Sequence, residues 1–337
     1  YNSRLTIDNC DFRNNIGQQA GGAIYGTTSD AENNLYITNS RFISNTGDLG
    51  ACIGGNGSYH DIIIDRCTFT QNVGGNYVIQ IDDFTNARIY NSLLVGNSLA
   101  EGYASVLGVD EAVNVTTDDF MMANTTIANN INTYQFGPSN DIVYLGKSYY
   151  KIYNSIIYGN TPYQGRQLTA GRVIRNSIIQ AGYAGGINVL NADPLFVNPN
   201  TNYSQAFDGS LYNYRLQSGS PAQNAGDNNY VYPTYNLDLD NTNRIDQNIV
   251  DMGSYESTFL ATTGYNQQLI RFQYINSQKK IYLLNFELTN KEKVEIFSLN
   301  GSLVRQYLSP SNEIEINLMP GLYIVKVRGD SFKISVY

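Results

Sequence analysis

The chain has 337 residues, of which 42% are hydrophobic and 15% charged, and its formal net charge is −8. This share of apolar residues can build a large core, which argues against disorder, and the acidic balance argues against nucleic acid or an anionic membrane as a ligand. With 28 Tyr, 30 Gly and no Trp, the composition favours strands and turns, and no run of about 20 apolar residues predicts a transmembrane helix.

The charge changes sign along the chain. Residues 1–264 carry 12 Lys and Arg against 23 Asp and Glu, a balance of −11, whereas residues 265–337 carry 9 against 6, a balance of +3. We therefore expect two units that meet near Gly264. The sequence opens at Tyr1 part-way into a repeat, and so we expect further chain upstream.

One pattern recurs seven times in the first unit: apolar, any, Asn, small, any, apolar, any, any, Asn. Its third positions are 30, 27, 25, 33, 30 and 22 residues apart. Periods of this length predict one turn of a β-solenoid with loops of variable size. The copies start at Ile7, Ile37, Ile64, Ile89, Met122, Ile152 and Ile174.

Each position of the pattern has a structural explanation. The apolar side chains point inward and stack on their equivalents one coil away, at about 4.8 Å. The small residue fits a tight interior corner. The closing Asn is expected to take the left-handed backbone conformation and to bond to its equivalents along the axis. The closing residues are Asn15, Asn45, Asn72, Asn97, Asn130 and Asn160.

Two motifs within the repeat carry a resemblance. An F-x-x-N motif occurs at 12–15, 42–45 and 69–72, and G-G-A-I occurs at 21–24. They resemble the repeats of bacterial polymorphic outer-membrane and adhesin-type proteins. This resemblance implies an all-β fold, a right-handed parallel β-helix, over residues 1–192. It does not identify a ligand, because a fold does not fix a function.

Residues 193–257 contain a second set of motifs, among them Asp193-Pro194-Leu195-Phe196 and Val250-Asp251-Met252-Gly253-Ser254-Tyr255-Glu256. Their order is similar to the end of many secreted bacterial β-helix proteins whose surface anchor varies. A solenoid must cover its last open edge. We therefore expect residues 193–257 to form the final coils and a cap, followed by a linker over 258–270.

From Arg271 onward the sequence changes to short alternating strands. Asn300-Gly301 is a strong signal for a two-residue hairpin turn. The segment 271–337 therefore predicts a small antiparallel β-sandwich.

Three stretches of this segment, at 294–301, 319–327 and 332–334, resemble the C-terminal sorting domain of type IX secretion cargo. The resemblance implies export across the outer membrane of a Bacteroidetes-type bacterium to the cell surface or beyond. The partner would be an outer-membrane β-barrel shuttle or the translocon of that system. Gly321, Tyr323, Lys326 and Lys333 are the recognition candidates, although each could equally be a turn or strand residue. An ordinary carbohydrate-binding or fibronectin-like sandwich is the alternative.

The three cysteines are not expected to form a bridge between Cys10 and Cys67. These two residues occupy one column two coils apart, so about 9.6 Å separates their Cα atoms, beyond the limit of about 7 Å for a disulfide. Cys52 lies on another strand, where we expect it to fill core space.

A polysaccharide lyase on this fold would need a carboxylate cluster for Ca²⁺ beside a basic residue. The acidic residues that could form such a cluster are not spaced in the sequence as one column of the β-helix would require, and acidic pairs in loops are usually solvated. His60 is read as a loop residue. The candidates are Asp82, Asp83, Asp110, Glu111, Asp118 and Asp119, with Arg88 or Lys147.

Asp238 and Asp240 are weak candidates for a Ca²⁺ site. They resemble the start of a calcium loop, but Asn243 and Ile249 stand where the turn glycine and the bidentate Glu belong. An EF-hand is therefore excluded, while a looser calcium site stays open. We expect no other cofactor.

The leading interpretation is a noncatalytic surface protein whose β-helix, rich in Tyr and Asn, serves adhesion or glycan binding. Tyr can stack on sugar rings and Asn can bond to hydroxyls, although the same Tyr could simply pack between loops. A lyase-type or hydrolase-type enzyme acting on polysaccharides is the second interpretation, and a passive structural protein is the third.

Overall fold

The structure is a computed structural model. It describes residues 4–18, 21–26, 33–55, 59–100, 104–110, 118–133, 141–246, 248–257, 271–275, 278–284, 293–308, 313–327 and 330–337. These residues are mostly strands, with three short 3₁₀ helices. The chain divides into two compact units, Tyr1–Leu260 and Ala261–Tyr337. The predicted linker 258–270 lies outside the described residues.

The first unit is built from short strands. In chain order they are β1 (Arg4–Asp8), β2 (Asp11–Arg13), β3 (Ile24–Gly26), β4 (Asn34–Thr38), β5 (Arg41–Ile43), β6 (Thr46–Gly55), β7 (Tyr59–Asp65), β8 (Thr68–Thr70), β9 (Val73–Ile81), β10 (Phe84–Tyr90), β11 (Leu93–Val95), β12 (Ser98–Leu99), β13 (Ser105–Val109), β14 (Asp119–Ala123), β15 (Thr126–Ala128), β16 (Ile131–Asn132), β17 (Val143–Leu145), β18 (Lys151–Tyr153), β19 (Ile156–Tyr158), β20 (Val173–Ile179), β21 (Ile187–Leu190), β22 (Phe196–Asn198) and β23 (Asn213–Leu216). The 3₁₀ helices span Gly209–Leu211, Asn228–Tyr230 and Pro233–Tyr235.

Equivalent strands of successive coils pair in parallel. One sheet runs in the order β1-β4-β7-β10-β14-β18-β20 and returns as β20-β19-β15-β11-β8-β5-β2. The other sheet has the order β16-β12-β9-β13-β17, and β6 joins β3 to β9. The first unit is therefore a parallel β-helix, as the repeat predicts.

The interior of this β-helix consists of stacked side chains. The rings of Phe12 and Phe42 stack at 4.8 Å between centroids, and those of Phe42 and Phe69 at 4.7 Å. The Ile or Met that starts each repeat from Ile37 to Ile174 is at most 2% exposed. The small residue is buried as well in the copies from Ser40 to Ser177, and the Ser40 hydroxyl accepts a hydrogen bond from the backbone N–H of Cys10 at 3.1 Å. The predicted inward columns are confirmed.

The closing Asn residues form a continuous ladder along the axis. Each Nδ2 donates to Oδ1 of the next Asn at 2.8–3.0 Å, from Asn15 to Asn160. The backbone N–H of each Asn donates to the same oxygen, as from Asn72 to Asn97 at 3.0 Å. The predicted bonding along the axis is therefore confirmed.

The prediction that these closing Asn residues adopt the left-handed conformation is wrong. The positive φ occurs one residue earlier, and again at the third position of the repeat, as at Asn9. The chain turns before the closing Asn because that side chain must point inward to join the ladder. The preceding residues are Asn14, Ser44, Gln71, Gly96, Asn129 and Gly159, with φ of 51–73°.

Residues 193–257, which we call the strap, lie along the side of the β-helix. Phe196, Leu216 and Met252 share a core with outward side chains such as Leu93 and Ile156. This differs from the expected final coils and cap, because the described contacts reach back across several coils. The reason is that the outer side of β11, β15 and β19 is apolar and needs a cover.

Several hydrogen bonds attach the strap to the coils. The N–H of Gly253 donates to the carbonyl of Asn154 at 2.8 Å, and the N–H of Ser254 donates to Oγ1 of Thr126 at 3.0 Å. The last strand of the coil series is β21, which pairs with β20. Tyr183 packs against the core near that end.

The three cysteines are unpaired in the structure. Cys52 and Cys67 are fully buried in the core, as expected for Cys52, whereas Cys10 is exposed. Burial raises the pKa of the Cys67 thiol to about 12 and raises that of Cys52 as well.

The second unit contains two antiparallel sheets. Its strands are β24 (Arg271–Ile275), β25 (Lys280–Leu284), β26 (Lys293–Ser298), β27 (Leu303–Leu308), β28 (Glu313–Glu315), β29 (Gly321–Val327) and β30 (Asp330–Val336). The sheet β24-β25-β28 and the sheet β27-β26-β29-β30 share one core, which includes Ile281, Ile314, Ile296 and Val325. A hairpin turn joins β26 and β27 where the sequence predicts one. It differs from the predicted two-residue turn, because the N–H of Ser298 donates to the carbonyl of Ser302 at 2.9 Å and three residues, 299–301, form the loop, in which Gly301 has a φ of 84°.

Candidate functional site

A group of polar and aromatic side chains lies on the outer side of β9, β13 and β17. Gln80 pairs with Gly108, and Gly108 pairs with Tyr144 in the next coil. Because Ile79 and Leu107 point into the core, these neighbouring residues point outward. We call the set Tyr77, Gln80, Asp82, Asp110 and Tyr144 the tyrosine face.

The absence of a side chain at Gly108 makes room for the Tyr77 ring. A Cβ atom on Gly108 would lie 2.2 Å from Cε1 of Tyr77. The ring therefore lies directly against the strand, between Gln80 and Tyr144. Tyr144 is 37% exposed, so the face offers a rigid aromatic surface that is open to a ligand.

Two carboxyl groups border this surface. Ile81 pairs with Val109, so Asp82 and Asp110 occupy equivalent positions in adjacent coils. Nε2 of Gln80 donates to Oδ2 of Asp110 at 3.3 Å, while its Oε1 is buried with no partner among the described residues. The sequence-based expectation that the acidic candidates do not share a column is wrong for this pair.

Burial is the main cause of the electrostatic character of the face. It raises the pKa of Asp82, with a further contribution from the Asp110 charge, and it raises the pKa of Asp110 against the hydrogen bond from Gln80. Burial also raises the pKa of Tyr77, and the charge of Asp110 adds to this effect. The phenol therefore stays neutral and can donate a hydrogen bond.

The remaining lyase candidates are placed elsewhere. Asp119 binds Arg88 at 2.8 Å and Lys151 at 2.5 Å on the outer side of β10, β14 and β18. Asp118 accepts hydrogen bonds from the hydroxyls of Tyr149 and Tyr150.

Burial opposes ionisation of Asp118, but those two bonds hold its pKa below the usual value, with a contribution from Lys147. Asp83 precedes β10, with its backbone N–H bonded to Asp82, and Glu111 lies outside the described residues. The structure therefore does not bring Arg88 together with the Asp82 and Asp110 pair. His60 belongs to β7 rather than to a loop, and its Nδ1 lies 3.2 Å from Asp61.

The calcium candidates Asp238 and Asp240 make hydrogen bonds and an ion pair within the strap. Oδ1 of Asp238 accepts the N–H groups of Asp240 and Thr242, and Oδ2 accepts that of Glu256. Asp240 binds the guanidinium of Arg215. These contacts occupy the oxygens that Ca²⁺ would need, so the residues do not fit the ion in this arrangement and calcium binding here stays a prediction. No cluster of three or more His, Cys, Asp or Glu residues suited to a metal occurs in the described ranges.

Many other tyrosines attach the strap. The rings of Tyr153 and Tyr230 stack at 3.8 Å, and Tyr90 stacks on Tyr235 at 5.0 Å. Tyr90 and Tyr153 are at most 8% exposed. These tyrosines pack between the strap and the coils. For them, the alternative to sugar binding, namely packing within the protein, is confirmed.

The sorting candidates lie together on β29 and β30. The exposed Lys326 and Lys333 occupy a diagonal on the outer side of their sheet, where Ile324 pairs with Lys333. Leu322, which is 40% exposed, lies on the same side. Tyr323 packs towards the core, and its hydroxyl donates to the carbonyl of Met319 at 2.9 Å. Gly321 starts β29.

Sequence reasoning missed Tyr77, Gln80 and Tyr144 as members of one site. Aligning the second strands coil by coil would have placed Gln80, Gly108 and Tyr144 in one column, but the loops between these strands differ in length and hide the register.

Within the described ranges, no helix is both long and apolar enough to cross a lipid bilayer. No protein-family model matches the sequence, and a search of curated proteins found no significant similarity.

Proposed function

We propose that the β-helix body binds glycans at the tyrosine face. The observation that carries this proposal is the Tyr77 ring held against Gly108 beside Tyr144. Flat aromatic rings stack on the apolar face of a sugar, while Asp82, Asp110 and Gln80 accept or donate hydrogen bonds to its hydroxyls.

A glycan array probed with the full chain tests this function. Replacing both Gln80 and Tyr144 with Ala is expected to weaken binding to the selected glycans at least tenfold, or about 1.4 kcal/mol. Tyr232→Ala is the matched control, because Tyr232 is 42% exposed on the strap. Binding that survives the double substitution, or that Tyr232→Ala weakens to the same degree, would contradict the proposal.

We further propose that the second unit is a type IX sorting domain and that the body reaches the cell surface or the medium. The sequence resemblance supports this proposal, and so does the exposed patch of Leu322, Lys326 and Lys333 on one sheet. A surface of mixed apolar and basic character suits docking to an outer-membrane β-barrel shuttle or translocon.

Surface display of the full chain can be compared with that of a chain ending at Gly264. Periplasmic retention of the shorter chain is the expected result. Lys326→Glu combined with Lys333→Glu should reproduce it, whereas Lys293→Glu, which changes a strand residue paired with Glu295, should not. Unchanged display of the shorter chain would favour an ordinary binding module.

Catalysis on a polysaccharide is the second candidate function. Adjacent coils are about 4.8 Å apart, near the separation of about 5–5.5 Å between the carboxyl groups of retaining glycosidases. The raised pKa of both Asp82 and Asp110 suits one of them to donate a proton. Release of reducing ends that Asp82→Asn abolishes while binding persists would favour an enzyme over a binding protein. A passive structural role would leave the full chain without any glycan ligand.

A further inference from the structure

A second concave surface lies at the corner of the β-helix that carries the Asn ladder. It is an open groove of about 340 Å³ between the coil wall and the strap, which we call the corner groove. This volume falls at the lower end of the range for small-molecule sites, about 300–1,000 Å³. Its lining residues are Ser44, Thr46, Gln71, Val73, Ser98, Gln205 and Ala206.

Two wall residues are unusual for their backbone conformation. Ser44 and Gln71 have φ of 57° and 59°, in the left-handed region that Asn and Gly adopt at lower cost. The equivalent positions in other coils hold Asn14, Gly96, Asn129 and Gly159. Of the three coils that line the groove, two carry a Ser or a Gln there and the third carries Gly96. Local strain of this kind is often retained where a side chain has a function.

The strap forms the opposite wall of the groove with Gln205 and Ala206, and hydrogen bonds to the coils hold it in place. The N–H of Phe207 donates to the carbonyl of Gly96 at 2.8 Å, and Oγ1 of Thr70 donates to the carbonyl of Phe207 at 3.2 Å. A Cβ on Gly96 would lie 2.4 Å from that same Phe207 oxygen, so only glycine permits this approach. On the other side of Gln205, the Tyr203 hydroxyl donates to the carbonyl of Gly159. The groove is therefore largely preformed.

The polar groups that line the groove are not engaged elsewhere. Among the described residues, no side-chain hydrogen bond involves Ser44, Thr46, Gln71, Ser98 or Gln205. Ser98 is only 5% exposed, so ordering its hydroxyl toward the groove costs little entropy. None of the seven lining residues is charged.

We propose that the corner groove is a binding site for a neutral, hydroxyl-rich ligand, namely an uncharged sugar unit. Three hydroxyls and two amides both donate and accept hydrogen bonds, which matches sugar hydroxyls of either orientation. Val73 and Ala206 supply a small apolar surface for the C–H groups of the ring. A uronate would bring a carboxylate that finds no cation here. This site shares no residue with the tyrosine face and does not depend on it.

Saturation-transfer NMR with the full chain tests the proposal, using cellobiose, maltose, lactose and mannobiose as neutral probes and digalacturonate as the charged comparison. At least one neutral disaccharide should bind, and more tightly than digalacturonate. Gln71→Asn should raise the Kd of that disaccharide at least tenfold without lowering the melting temperature of the protein. Asn tolerates this backbone conformation, but its side chain is shorter, so its amide lies farther from the ligand. Gln205→Ala should have a similar effect on Kd.

The matched control is Gln164→Asn. Gln164 also has a left-handed backbone, with φ of 51°, and lies outside the groove, so its substitution should leave the Kd unchanged. The tyrosine-face variant that combines Gln80→Ala with Tyr144→Ala should also retain groove binding, which separates this proposal from the proposed function. The inference is overturned if no neutral disaccharide binds, if digalacturonate binds more tightly, or if binding survives both Gln71→Asn and Gln205→Ala.

Discussion

Arg244 shows how a single buried residue organises the strap. It is fully buried, 3.6 Å from Glu256, and its Nη2 donates to the carbonyl of Asp251 at 2.9 Å. Asp238, Asp251 and Glu256 surround this one guanidinium, and each accepts backbone N–H groups. Three carboxylates against one cation leave excess negative charge in a dry site, which favours a proton on one of them.

Glu256 is expected to hold that proton and to make stability depend on pH. Burial raises its pKa from 4.5 to about 8 in the folded protein. Its contribution is therefore fully present below about pH 4.5 and is lost as the pH rises through 8, because the unfolded chain does not bind this proton in that window. Urea unfolding at pH 5.5, 7 and 8.5 should show the free energy of unfolding decreasing with pH.

Glu256→Gln removes the ionisable group and should flatten this decrease. Its amide nitrogen cannot accept the backbone N–H that one of the two Glu256 oxygens accepts from Asp246 or Asp251, so we expect lower stability at every pH together with the flatter slope. Glu313→Gln, at an exposed residue of the second unit, is the control and should leave it intact. An undiminished slope in Glu256→Gln would mean that another group takes up the proton.

At the scale of the element, the Asn ladder links each coil to its neighbours through side-chain hydrogen bonds. Each buried Asn bonds to the coil on either side and to a backbone carbonyl, as Asn97 does with Phe69. The repeat predicts this bonding because Asn recurs at one position. It did not reveal which residue bends the chain, since Asn serves both purposes in a sequence and only the observed φ values separate them.

Asn97→Ala should be strongly destabilising. The substitution removes the bonds from Nδ2 to Phe69 and Asn130. It also leaves the backbone N–H of Asn72 and one of its two Nδ2 hydrogens without an acceptor, while the other hydrogen stays bonded to the carbonyl of Phe42. Each buried polar group left unpaired costs about 1–3 kcal/mol, so we expect a loss of more than about 3 kcal/mol in the free energy of unfolding.

Asn86→Ala is the comparison for this effect. Asn86 is half-buried and makes one bond, to Asp61 at 3.0 Å, so its loss should cost about 1 kcal/mol. Equal effects of the two substitutions in urea titrations would show that the ladder adds little to stability.

For the whole molecule, the sequence predicts the architecture well and the sites poorly. The repeat and the alternating C-terminal strands indicate the parallel β-helix and the antiparallel sheets. Residues 193–257 were expected to form the final coils and a cap because a solenoid must cover its last open edge. Its lateral position depends on apolar residues such as Leu93 and Ile156 facing outward, and these look like ordinary core residues in sequence. Likewise, Gln71 and Gln205 are 134 positions apart in the chain and meet only through the strap.

Each unit has its own core, so the two are expected to unfold independently. Among the residues that the structure describes, the core with Ile281 and Val325 is built from the second unit and the cores of the β-helix are built from the first. Scanning calorimetry of the full chain should show two transitions. A chain ending at Gly264 should lose one of them and keep the other within about 2 °C. A larger fall in the remaining melting temperature would mean that the second unit stabilises the β-helix.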